Sequence, residues 1–581
     1  MISTATPRAR RVTRLRSSIL AIAIAIIISA APPAIADATR PTDAAHPAVA
    51  HKGAIASAYP LASEAGQEIL KEGGNAFDAA VAVAAALAVV EPSSSGLGGG
   101  GFFLLHRQSD GFETMVDARE KAPGAATRDM YLDKAGNVTK GSTDGPLSAA
   151  IPGEPAAFEF LARKYGKLPL KQSLQPAIRL AREGYPLYLR LQYGIKSKRD
   201  ILMRSPDAAK AFLTADGNVP EVGAVIKQPE LANTLEAIAN QGARGFYEGR
   251  VAQSLVSGVR AGGGIWTLED LKNYRVVERK PLIGEYHGAR IVTASPPSSG
   301  GIAILDSLNI LAGFDLHDVD SATRKHLIIE AMRRAYRDHA IFMGDPDFIK
   351  MPLQQLMSVD YAAGQRSSIR ADKAMPSDLL PGIESEPKGM NTTHFSVLDA
   401  AGNRAAVTIT VNLFFGNGYM PAGTGVLLNN EMDDFSVKPG TPNVFGLVGN
   451  TANSIAANKR SLSSMSPTFV ETSKGMMVIG SPGGSTIISQ VLLGVLNYVD
   501  GMSAPDIVKY PHYHHQYLPD DVSYEQGALT DGEIAKLQSM GHTLRLSTRQ
   551  WGNMQVITWD FASGKVEAAS DPRGEGEGLV Y

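Results

Sequence analysis

The chain has 581 residues, 44% of them hydrophobic and 20% charged, with 56 basic against 58 acidic side chains. That much apolar material excludes a disordered or fibrous protein, and the near-zero net charge gives no electrostatic ground for nucleic-acid binding. There is no cysteine, which excludes disulfide scaffolds, thiolate metal sites and cysteine nucleophiles, so a covalent nucleophile must be an oxygen or an amine.

The first segment is an address. Arg8, Arg10, Arg11, Arg14 and Arg16 precede an apolar run from Ile19 to Ile28, and small residues lead to Ala34-Ile35-Ala36. A basic head, a short apolar middle and an A-x-A site predict a secretory signal peptide over 1–36, cut after Ala36, rather than a retained anchor. The Arg10-Arg11 pair lacks the Phe-Leu that twin-arginine export calls for. The expectation is an exported protein, periplasmic or secreted, with no membrane span in its mature form.

Helical spacing follows over Leu61–Glu72, ended by Gly73-Gly74, and over Ala76–Val90, where Asn75 can cap the start. The second helix is apolar on every side, which predicts burial between layers. A glycine-rich turn from Ser93 to Gly101 then leads into a strand at Phe102–His106. Gly96, Gly98 and Gly101 formally satisfy G-x-G-x-x-G, but that motif needs a strand before it and a helix after it. The order here is reversed, so the run is read as a tight turn passing close to other backbone. Further helices are expected over Gly153–Tyr165, Leu170–Gly184, twice within Leu231–Gly263, and over His326–Phe342. Ser295 to Gly301 is a rigid loop leading into a helix from Ile302.

Texture changes at Met375–Asn391, where Pro376, Pro381, Gly382, Pro387 and Gly389 crowd together as an exposed linker. A strand from Thr392 to Leu398, a turn at Asp399–Asn403 and a returning strand, Ala405–Val411, form a hairpin. With the turn centred near Ala401-Gly402, Thr392 faces roughly Thr410, and Asn412 projects from the same face. Threonine is a poor nucleophile unless a base adjoins it, and its own α-amine serves if the chain is cut there. Later, a strand at Met476–Ile479 runs through Gly480-Ser481-Pro482-Gly483-Gly484-Ser485 into a helix over Thr486–Val499. Such a loop exposes backbone N–H groups at a helix start, the material of an oxyanion hole.

Thr392-Thr393-His394-Phe395-Ser396-Val397, Leu427 to Phe435, Lys459 to Pro467 and Gly480 to Gly484 together resemble the γ-glutamyltransferase (glutathione hydrolase) family. Ser95 to Phe102, Asp117-Ala118-Arg119-Glu120 and Ser570-Asp571-Pro572-Arg573 extend the likeness over almost the whole mature chain. The resemblance implies an α+β fold, a four-layer αββα sandwich of the N-terminal-nucleophile hydrolase type, shared by two subunits of one precursor. It implies a cut between Asn391 and Thr392, giving a large subunit, 37–391, and a small one, 392–581, that stay associated. By the same resemblance Thr392 is the nucleophile, Thr410 activates it, and Gly483 and Gly484 form the oxyanion hole. Asn412, Glu431 and Asp434 hold the donor's ammonium, while Arg119, Ser463 and Ser464 hold its carboxylate. The implied substrates are glutathione and other γ-glutamyl compounds, with water, amino acids or peptides as acceptors, and neither cofactor nor metal. A glutaryl acylase of the same fold and a non-catalytic γ-glutamyl peptide-binding protein are the rivals. Pro439–Asn458 resembles a lid over the donor pocket, with Phe445 where bacterial relatives often carry tyrosine. His512, His514 and His515 have strand spacing that separates neighbouring rings, so they are read as structural.

Overall fold

The computed structural model describes residues 50–380 and 392–581, apart from 439, 442, 444–446, 448 and 450. The predicted leader, Asn391 and Phe445 lie outside the described residues. The fold is α+β with two large antiparallel sheets.

The first sheet runs, neighbour to neighbour, Glu577–Val580, Ala54–Ser57, Thr393–Leu398, Arg404–Thr410, Gly100–Arg107, Phe112–Ala118 and Val277–Arg279. The second runs Val566–Ser570, Gln555–Asp560, Gly475–Gly480, Thr468–Glu471, Ala289–Thr293 and Leu282–Tyr286. Each sheet mixes strands from both sides of residue 392. The predicted subunit border is therefore not a boundary between cores, and His46–Tyr581 forms one compact unit.

Period-2 alternation sorts the hairpin side chains. Phe395, Val397, Val407 and Ile409 join Phe103 and Leu105 in a core with Pro60–Lys71 and Ala76–Val90. Phe102, Leu104 and Ala406 pack instead with the second sheet. Every residue of Ala76–Val90 is buried, and Asn75 and Asp78 close a capping box at its start.

The glycine run is the predicted close approach. A β-carbon at Gly98 would lie 1.8 Å from the Leu427 carbonyl oxygen, and one at Gly99 would lie 1.9 Å from that of Thr410. The following strand starts two residues earlier than expected, because Gly100 and Gly101 already pair with Thr410 and Ile409. Two helical boundaries also differ. Leu170–Gly184 divides into Leu170–Ser173 and Gln175–Glu183, since Pro176 has no N–H to carry the helix through. The stretch predicted as two helices within Leu231–Gly263 is three, over Pro229–Gln241, Arg244–Tyr247 and Gly249–Ala261. Gly242 and Gly249, both at positive φ, stand at the breaks. Among the described residues no helix is long and apolar enough to cross a membrane.

Candidate active site

Hairpin register brings the two threonines together. Thr393 pairs with Ile409 and Leu398 with Arg404, which places Thr392 opposite Thr410 one step before the ladder begins. The Thr392 hydroxyl donates to Thr410 Oγ1 at 3.4 Å, and Thr392 is buried. His394, on the same strand, bonds Thr408 Oγ1 and Ser396 Oγ and is neutral, since burial pulls its pKa down to about 3.

Asn412 reaches the site by another route than strand alternation. The ladder ends at Thr410, and Asn412 turns out at φ 72°. Its N–H donates to Thr410 Oγ1 at 2.8 Å and its side-chain N–H to the Asn430 carbonyl at 2.8 Å. The turn, and not strand alternation, therefore sets the course of the chain at Asn412.

Below the threonines lies a buried charge cluster. Arg119, just after the strand Phe112–Ala118, donates to the carboxylates of Glu431 and Asp434, and to the carbonyls of Ser461 at 3.4 Å and Leu462 at 3.0 Å. Glu120 is a third carboxylate on the same guanidinium, at 3.4 Å. Desolvation pushes Glu431, Asp434 and Glu120 up to about 8, with Arg119 opposing. Burial works against the Arg119 charge, but Glu431, Asp434 and Glu120 more than offset it and hold the guanidinium protonated. Three carboxyls to one guanidinium leave the cluster wanting another cation. Glu431 Oε2 and Asn412 Oδ1 are buried acceptors with no hydrogen-bond partner among the described residues, which is where an ammonium would be satisfied.

Ser463 and Ser464 line the same cavity, directly after the Leu462 carbonyl that accepts from Arg119. Ser463 is braced through its backbone, accepting from the Ser299 N–H at 2.8 Å and donating to the Pro297 carbonyl at 3.0 Å. The rigid loop predicted at Ser295–Gly301 is thus the support of this wall. The loop before the helix Thr486–Val499 holds Gly483 at φ 139° and Gly484 at φ 56°. Neither N–H finds an acceptor among the described residues. One cavity is lined by Thr392, Thr410, Asn412, Arg119, Glu431 and Asp434, and by Ser463, Ser464 and Gly484 as well. Gly483 opens instead onto a second cleft, which Thr392 also lines.

Two cavity residues were not among the predicted site residues and bear on its structure, His339 and Asn453, the second within the stretch read as a lid. Asn453 donates to the Asp434 carbonyl at 2.7 Å and accepts from the Leu462 N–H at 3.0 Å, tying the acidic wall to the serine wall. His339 lines the cavity with a buried Nδ1 that has no partner among the described residues, and burial lowers its pKa to about 4. A histidine on the inner face of an arginine-rich helix was the available signal. The three C-terminal histidines have separate polar partners: Trp551 O for His512, Ser489 and Gln516 for His514, and Asp520 for His515.

Residues 62–581 match the Gamma-glutamyltranspeptidase family. The chain belongs to that family. It is 42% identical over 537 residues to the glutathione hydrolase proenzyme of Escherichia coli (strain K12), covering 91% of this chain and 92% of that protein. The glutathione hydrolase proenzyme of Pseudomonas sp. (strain A14) is 44% identical over 502 residues, 85% of this chain and 87% of its own. Among solved structures, the γ-glutamyltranspeptidase of Helicobacter pylori superposes with a TM-score of 0.55 at 42% identity, over 56% of this chain and 94% of its own. A cephalosporin acylase from Bacillus halodurans superposes with a TM-score of 0.79 at 28% identity, over 93% of this chain and 99% of its own. The backbone of this chain is thus similar both to a γ-glutamyltranspeptidase and to a cephalosporin acylase.

Proposed function

We propose that the precursor cuts itself between Asn391 and Thr392, and that the freed Thr392 carries γ-glutamyl groups as an ester. The protein is a γ-glutamyltransferase and glutathione hydrolase, in keeping with its family. On this reading its two sheets form the inner layers of an αββα sandwich shared by the subunits 37–391 and 392–581, and the leader 1–36 exports it. The word proenzyme in the relatives' names fits a self-cutting precursor.

The observation that carries the reading is one cavity holding a strand-head hydroxyl, a lone arginine and an excess of carboxylates. A γ-glutamyl donor brings an ammonium and a carboxylate on the same carbon. Its ammonium takes oxygens of Glu431, Asp434 and Asn412, while its carboxylate takes the Arg119 fork thereby released and the hydroxyls of Ser463 and Ser464. Fixing both groups sets the γ-carbonyl against Thr392, so binding energy goes into orientation. The α-amine of Thr392 accepts the proton from Oγ1, helped by Thr410, as oxygen attacks the carbonyl carbon. The N–H groups of Gly483 and Gly484 receive the developing oxyanion. The amine departs with that proton, leaving the ester for water or an acceptor amine to resolve.

The acylase likeness favours a second reading, a glutaryl donor. Such a donor has no ammonium, and it would leave Glu431 and Asp434 unanswered. Two measurements test the proposal. A denaturing gel of the purified protein should show fragments of roughly 20 and roughly 38 kDa, and γ-glutamyl anilide should be cleaved far faster than glutaryl anilide. A single band near full length, or a preference for the glutaryl compound, would overturn it.

A further inference from the structure

The cavity at Thr392 also contains a histidine that the acyl transfer leaves unused. His339 lies in the last turn of the helix Ser321–Phe342 and is 3% exposed. Its Nδ1 is enclosed without a hydrogen-bond partner, and its Nε2 makes no hydrogen bond among the described residues either. The other buried histidines behave differently. His106, His326, His394, His514 and His515 each engage both ring nitrogens, and His512 and His542 engage one. A buried polar ring with no partner costs free energy, so His339 calls for a partner that the protein itself does not supply.

Helical spacing says where on the cavity wall it stands. Tyr336, His339 and Met343 follow one another along one face of the helix. The Tyr336 hydroxyl donates to the Ser485 carbonyl, one residue past Gly484. Met343, directly after the helix, packs with Leu462 and Ile302 in a buried cluster. His339 therefore stands between the loop of the proposed oxyanion donors and the segment Leu462-Ser463-Ser464. Burial lowers its pKa to about 4, so near neutral pH the ring carries one N–H and one bare nitrogen. An enclosed N–H without an acceptor is rarer than an enclosed bare acceptor, which assigns the hydrogen to Nε2 and leaves a neutral donor for the cavity.

We propose that His339 is a further specificity residue, donating from Nε2 to the α-carboxylate of the bound donor beside Ser463 and Ser464. The inference rests on the γ-glutamyl reading, in which that carboxylate lies against the two serines. A carboxylate has room for about four hydrogen bonds. The Arg119 guanidinium is shared with Glu431, Asp434 and Glu120, so it and two hydroxyls leave part of that room unfilled. A neutral N–H completes the set without placing a second cation near the donor's ammonium. A donor lacking the α-carboxylate would leave the ring unanswered, and a site built to hydrogen-bond a group discriminates against analogues without it.

The test measures KM for γ-glutamyl-p-nitroanilide, and Ki for its α-carboxamide analogue as a competitor, in the wild type and in H339L, H339Q and H339N. A glutamine amide nitrogen can take the place of Nε2, and an asparagine nitrogen that of Nδ1. H339L should raise KM for the anilide about tenfold with kcat within about twofold, and should move Ki for the carboxamide less than about twofold. H339Q should recover most of the KM, and H339N should not. In NMR of protein carrying isotope-labelled histidine, the ring signals that H339L lacks should shift when L-glutamate is added. An unchanged KM in H339L, an equal loss for both compounds, or ring signals that glutamate leaves in place would overturn the proposal. If H339L fails to mature, H339Q against H339N and the NMR titration decide. A wild type that cleaves no γ-glutamyl anilide would sink the γ-glutamyl reading itself, whereas normal turnover with an indifferent His339 would sink this inference alone.

Discussion

The two cavities that meet at Thr392 hold their charges in opposite ways. On the donor side the charges are buried and already paired, with Arg119 held by Glu431, Asp434 and Glu120. In the second cleft, which Thr392 also lines, the Arg190 and Arg549 guanidinium groups have no hydrogen-bond or ion-pair partner among the described residues. A prepaired cluster accepts only a ligand that can replace both ends of the pair, because breaking one end alone strands a desolvated charge. An open, uncommitted cation accepts any anion that reaches it, and solvent screens it. Selective binding in the donor cavity and unselective anion binding in the second cleft are the expected outcome.

The comparison is broken most completely at the residue common to both sides. T392A should give one uncut band on a denaturing gel and lose turnover by at least about 10³-fold, whichever acceptor is present. G483A comes next. A β-carbon there would lie 2.5 Å from Thr486 Oγ1, so the loop must shift, and kcat should fall roughly 10²-fold with donor KM little changed. An unchanged kcat would remove Gly483 from the oxyanion hole. D434N touches only the donor side: donor KM should rise about 10–100-fold, because a charged contact to the ammonium is lost from a buried site, while the preference among acceptors stays put. The smallest effect concerns pH. Burial raises Glu431 and Asp434 to about 8 with Arg119 opposing, so carboxylate charge beyond what Arg119 pairs is gained only as pH rises towards that value, and each ionisation adds charge that attracts an ammonium. Donor KM should therefore fall a few-fold as pH rises from 6 towards 8, and E431Q should flatten the profile.

What could be read in the sequence was local and periodic. The hairpin register followed from one turn, Asp399–Asn403, because alternation and pairing leave no freedom once the centre is fixed. Asn75 announced the helix Ala76–Val90 by its own side chain. The glycine loops announced close backbone approach. The residues lost to that reading depend on the path of irregular chain. Asn412 sits where it does through a left-handed turn, and Asn453 and His339 line the cavity from elements far apart in sequence. Nor does any pattern tell that Arg119 would be held by the carboxylates expected to bind its ligand's other end; only the folded arrangement brings them within bonding distance. The roles assigned to Thr392, Arg119 and their neighbours came from resemblance, and the variants above are what test them.

The strand Thr393–Leu398 lies between Ala54–Ser57 on one edge and Arg404–Thr410 on the other. The proposed nick in front of it would separate two polypeptides whose ladders remain interleaved, so the pieces could not drift apart without unzipping the sheet. Folding before the nick is a one-molecule event; refolding after it requires an encounter between two molecules and becomes dependent on concentration. The cut protein would then persist through slow unfolding, unable to reassemble when dilute once it has come undone.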